Sequence, residues 1–164
     1  MDYQPFKDAI MAWVKSQVDS SVTVYWMEQG PVPPRPPRPC INMKIVTPSV
    51  KIGGKDDLRY VGGNFVVNGP RKMLVSFNSY GVEAIEIMTD LRDSIDDPDV
   101  IDQLGAAGLA FVREGDVENL TQLLDSNYET RAHIDIEFGY NIENATGIVE
   151  IDKISINGVD VPAS

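Results

Sequence analysis

Residues 130–140 (TRAHIDIEFGY) alternate without interruption. Ala132, Ile134, Ile136, Phe138 and Tyr140 fall on one parity, and Arg131, His133, Asp135, Glu137 and Gly139 on the other. A period of two predicts a strand with one core face and one polar face. Elsewhere the period changes. In residues 5–18, Phe6, Ile10, Trp13 and Val14 recur at helical spacing behind Pro5, a residue suited to a first helical turn. Residues 82–95 repeat the pattern with Ala84, Ile85, Met88, Leu91 and Ile95, which predicts a second helix with an acidic outer face. A shorter helix is expected over 98–104, capped by Asp97 ahead of Pro98.

β-branched and aromatic runs predict further strands at 22–27, 40–50, 71–80 and 109–113. At the C-terminal end, 148–156 and 159–161 flank Asn157-Gly158, a strong hairpin signal. The order of elements predicts an α+β fold, a mostly antiparallel mixed sheet packed by two main helices. Residues 51–70 stand apart: five of the 13 glycines lie there with short apolar pieces, LRYV and FVV. This composition predicts a long Gly-rich β-arm or hairpin, mobile in the free subunit.

Composition narrows the class. A chain of 164 residues with 43% apolar content can bury a real core and is expected to form a single domain spanning 1–164. No apolar run approaches the roughly 20 residues of a membrane span, and the N-terminal residues lack the pattern of a secretory leader. The net charge of −11 is unevenly divided. Residues 1–82 carry ten Lys/Arg against six Asp/Glu, whereas 83–129 carry two against 13. That balance argues against gripping nucleic acid. It suits self-association between a basic surface on one copy and an acidic one on the next, or simply a solvated acidic face.

Candidate chemistry is sparse. Cys40 is the single cysteine, so no intramolecular disulfide or cysteine-based zinc cluster can form. The acidic residues Asp93, Asp96, Asp97, Asp99 and Asp102 lack the glycine and terminal glutamate of a calcium loop. Gly54-Lys55 is followed by Asp56 where a phosphate loop needs Ser or Thr. Asn144-Ala145-Thr146 fits a glycosylation acceptor without a secretory context. No catalytic, cofactor-binding or metal site is therefore expected. His133, flanked by Arg131 and Asp135, leaves open a small hydrolase-like enzyme. The Pro-rich segment 31–39 contains Pro33-x-x-Pro36-x-Arg38, which leaves open an adaptor that binds an aromatic groove. Its plainer reading is a stiff, extended lead into the strand at Cys40.

The ordered combination of an N-terminal helix, RPPRPCINMKI, VSFNSYGVEAIEIMTDLRDSI and YETRAHIDIEFGY resembles the neck or tail terminator (tail completion) proteins of tailed bacteriophages. The resemblance runs from about Trp13 to Ile156 and is most specific at 35–41 and 128–140. It implies a structural virion protein, assembled in the host bacterial cytoplasm, that forms a ring, typically hexameric. The ring would cap the tail tube, stop addition of tube and sheath protein, and offer a docking surface to the head connector. DNA would pass through its centre unbound. Arg35, Arg38, Arg71, Lys72, Glu129 and Arg131 are the candidates for subunit or tube contacts.

Overall fold

The structure, a computed structural model, describes residues 2–27, 36–124, 127–147, 153–156 and 159–162. Helix α1 (Gln4–Gln17) starts with Pro5 in its first turn and buries Phe6, Ile10, Trp13 and Val14, the predicted stripe. Strand β1 (Thr23–Trp26) pairs in parallel with β2 (Cys40–Lys51), Thr23 opposite Cys40 and Trp26 opposite Met43. A parallel pair needs a return connection. Residues 27–39, which include the proline run, supply it, and Thr23 N donates to Pro39 O at 3.1 Å where the run enters β2.

Strand β3 (Asp57–Val61) and the 17-residue β4 (Asn64–Tyr80) follow. Helix α2 (Ala84–Asp93) then ends in a 3₁₀ turn at Ser94–Asp96. Helix α3 (Pro98–Ala106) is capped by Asp97, whose side chain accepts from Asp99 N. Strands β5 (Leu109–Glu114), β6 (Glu118–Asn119), β7 (Gln122–Leu124) and β8 (Asn127–Glu129) lead into the 17-residue β9 (Arg131–Gly147). Strands β10 (Lys153–Ile156) and β11 (Val159–Pro162) pair antiparallel, as expected of a hairpin; its Asn157-Gly158 turn lies outside the described residues.

The main sheet has seven strands in the order β1-β2-β4-β9-β5, with β3 continuing beside β4 beyond β2 and β6 beside β9. All its pairings except β1–β2 are antiparallel, so the fold is α+β with a mixed sheet. The core lies between one sheet face and the helices. Trp13, fully buried, packs edge-on against Phe77 and Phe138, with centroids 5.9 and 6.2 Å away. Its Nε1 donates to Ser94 Oγ at 3.1 Å, which leaves no indole donor unpaired. Tyr3, Phe6 and Tyr140 close one end of the core, with Phe6 and Tyr140 centroids 5.2 Å apart.

The two central strands are longer than the sequence predicts. β4 begins at Asn64 rather than at residue 71, although Gly69-Pro70 reads as a break. Residues 71–80 pair with β2 and residues 64–68 with β3, so Pro70 falls in the gap between those two neighbours. Its carbonyl accepts from Ile52 N on that side. In an antiparallel ladder the N–H and C=O of one residue point the same way, so the donor that proline lacks would have faced the gap, and the ladder to β9 loses nothing. Helix α2 starts later than residue 82, with Ser79 Oγ donating to Ala84 O at 2.6 Å. The short strands β6, β7 and β8 carry too few residues to show a period.

Candidate functional site

The residues expected at contacts fall into two groups along β4, one at its Tyr80 end and one near its middle at Arg71. Cys40 lies opposite Tyr80 and Lys51 opposite Arg71, so at about 3.3 Å per residue the groups are about 30 Å apart. Arg35 lies outside the described residues.

At the Tyr80 end, the proline lead and the start of β9 meet. Arg38 forms an ion pair with Glu129; their side chains are 34% and 8% exposed. The two stretches that carried the resemblance are thus joined by one contact. Glu129 and Arg131 belong to different strands, with Thr130 between them. Both line a cavity of about 200 Å³ together with Tyr80, Leu120 and Gln122. A larger hollow of about 370 Å³ adjoins it, walled by Arg38, Pro39, Gly81, Val82, Glu83, Tyr128 and Thr130. Val82 is 91% exposed at its rim.

Arg131 reaches inward. Its Nη2 donates to Asn78 Oδ1 at 2.7 Å, and its guanidinium stands 5.3 Å from the centre of the Tyr80 ring. Asn78, buried on the sheet face opposite the helices, donates through Nδ2 to Asn42 Oδ1 at 3.2 Å. Its Oδ1 also lies 3.2 Å from His133 Nδ1. Ser76 Oγ is 3.4 Å from the same nitrogen, and Asp135 Oδ1 is 3.3 Å from Nε2. Ser, His and Asp are therefore together, which the sequence did not reveal. Their setting differs from that of a hydrolytic triad. Nδ1 is shared: Asn78 Oδ1, which can only accept, lies nearer to it (3.2 Å) than Ser76 Oγ does (3.4 Å). Ser76 also sits mid-ladder between Lys44 and Asp135, with strands on both sides and no pair of free amides for an oxyanion.

Near the middle of β4, Arg71 donates through Nη1 and Nη2 to the two oxygens of Asp56, at 2.8 and 2.7 Å. Lys51 Nζ stands 3.4 Å from Asp56 Oδ1. The hydrogen bonds from Arg71 hold the Asp56 carboxyl down at about 2, against the opposing effect of desolvation. The pair covers Gly69: a Cβ there would lie 2.6 Å from Asp56 Cγ and 2.8 Å from Arg71 Nη1. Lys72 points to the opposite face and donates to both oxygens of Glu137 at 3.1 Å. Asp56, Asn78 and Glu137 are the partners that sequence reasoning missed; a lone polar residue in a strand does not announce a cross-strand mate.

Beyond Arg71 the sheet continues as three paired strands, β3, the first part of β4 and the last part of β9. β3 and β4 are joined by Gly62-Gly63, with φ of 56° and 83°, the positive values that a tight two-residue hairpin turn of the I′ kind requires. β9 runs along the other side of β4 to Gly147.

A family model for phage neck terminator proteins matches residues 5–163. The chain belongs to this family. No curated protein matches it. Membership makes the chain a structural component of the virion, one that assembles with other virion proteins at the neck and tail. No helix among the described residues is long and apolar enough to cross a membrane.

Proposed function

We propose that the chain is one domain that closes into a hexameric ring on the end of the tail tube. The ring stops further addition of tube protein, and of sheath protein where there is a sheath, and presents its other face to the head connector. DNA passes through the centre without being held, and assembly takes place in the host cytoplasm. The observation that carries this reading is the family match over 5–163. The division of charge supports it, because a basic region and a strongly acidic one on the same chain favour head-to-tail neighbours in a closed ring. The two groups around Arg38, Glu129 and Arg131 and around Arg71 and Lys72 lie at contacts with neighbours, and Arg35 is a further contact residue.

Capping needs complementary shape and charge, with no reacting group. Phage lacking the protein should therefore accumulate separate filled heads and unattached tails, some of them overlong, and purified protein should restore joining. The His133→Ala variant should restore it nearly as well. Normal infectious particles without the protein would overturn the reading.

A further inference from the structure

The arm leaves an apolar sheet face uncovered. Pairing between β4 and β9 runs from Asn64 to Tyr80 with no shift of register, so the parity that buries Met73, Val75 and Phe77 under the helices continues to Val67 and Phe65. Leu58 opposes Val67 and Tyr60 opposes Phe65 on the same face. The Arg71–Asp56 pair over Gly69 divides this face from the core. Beyond it, Leu58, Tyr60 and Phe65 are 55%, 65% and 42% exposed. Tyr60 and Phe65 meet edge-on at 5.6 Å, so they form one contiguous patch. Such a patch marks a docking surface.

A receptor of matching character lies elsewhere on the molecule. Between α3 and β5 a groove of about 340 Å³ is walled by Ile95, Ile101, Leu104, Leu109 and Phe111. Asp96 also lines it, and Asp96 and Asp102, the residue after Ile101, are exposed. The arm brings the opposite charge. Lys55 makes no ion pair among the described residues, whereas Arg59, between Leu58 and Tyr60, points to the other face of the sheet and pairs with Asp57. The arm cannot fold back onto its own groove, because β4 is zipped to β9 along its whole length. The occupant has to come from another molecule.

We propose that the Leu58, Tyr60 and Phe65 face of the arm seats in the α3–β5 groove of a second copy of the chain, with Lys55 against that copy's Asp96 and Asp102. The inference rests on the ring reading and gives it one contact. The same two surfaces, used head to tail, propagate around a ring and leave neither exposed once it closes.

The test uses purified full-length chain. Two single variants, Tyr60→Cys and Ile101→Cys, alter exposed positions, while the native Cys40 is buried. Mixed and treated with a short thiol–thiol cross-linker, they should give a heterodimer that neither gives alone. In parallel, Tyr60→Ser with Phe65→Ser should raise the concentration needed for self-association at least about tenfold. A ring of unchanged mass in that double variant, with no heterodimer formed, overturns the arm placement and leaves the ring standing. A wild-type chain that stays monomeric at every concentration overturns both. Cross-linking of the Tyr60→Cys arm to tube protein, and not to the second copy, overturns the choice of occupant.

Discussion

The same two strands, β4 and β9, build both ends of this sheet, and the ends have opposite fates. Toward Tyr80, the residues of β4 that face the helices are fully buried at Met73, Val75 and Phe77; toward Asn64, a residue of equal parity, Phe65, is 42% exposed. Pairing and pleat are the same throughout. What differs is the cover. Helices α1, α2 and α3 shield the body, and the aromatic cluster of Tyr3, Phe6 and Tyr140 marks where that shield stops. Alternation along a strand decides which side chains share a face, and another element has to decide whether that face is dry.

The comparison is broken most directly by removing one aromatic from each end. Trp13→Ala opens a cavity against Phe77 and Phe138 and should cost the isolated chain about 3–5 kcal/mol in urea unfolding. Tyr60→Ala should stay within about 0.5 kcal/mol, as a surface change does. Equal losses would mean that the arm belongs to the body's cooperative unit.

Amide hydrogen exchange sharpens the same contrast. In the free subunit, amides of 57–68 should exchange much faster than those of 132–140, and assembly should slow them. Arg71→Ala removes the guanidinium from Asp56, and Gly69→Ala drives a methyl into the pair. Either should speed exchange in 57–68 and leave 132–140 unchanged. Faster exchange in both regions would assign the pair to the core.

The smallest effect follows from pH. Asp56 is held at about 2 in the folded chain, below the ordinary value near 3.9 that it takes when unfolded. Its contribution to holding the arm's base is complete above about pH 4 and is lost as pH falls toward 2. Following the Asp56 carboxyl by NMR should give a midpoint near 2, with arm exchange rising over the same window. A midpoint near 3.9 would show that Arg71 does not hold it.

Much of the candidate site was legible one residue at a time and illegible as a set. Arg38, Arg71, Lys72, Glu129 and Arg131 could be picked out by charge. That Arg38 meets Glu129 while Arg71 meets Asp56 about 30 Å away along β4 could not, because an ion pair between residues far apart in sequence depends on strand register. The Ser76, His133 and Asp135 neighbourhood shows the same limit: it joins β4 to β9 through two cross-strand pairs, Ser76 opposite Asp135 and Asn78 opposite His133.

By itself, the sequence determined the local periods: the stripe that makes α1, the alternation that makes β9, the Asp97 cap of α3 and the glycine turn that reverses β3 into β4. Each is settled within a few residues, where backbone geometry and side-chain spacing are enough. Only the tertiary structure decided that β1 and β2 run parallel, that Pro70 sits harmlessly in a gap between two partner strands, and that the apolar face outruns the helices. Those depend on which strand lies beside which, and hydrogen-bond register and helix cover are set by parts of the chain far from the residues they affect.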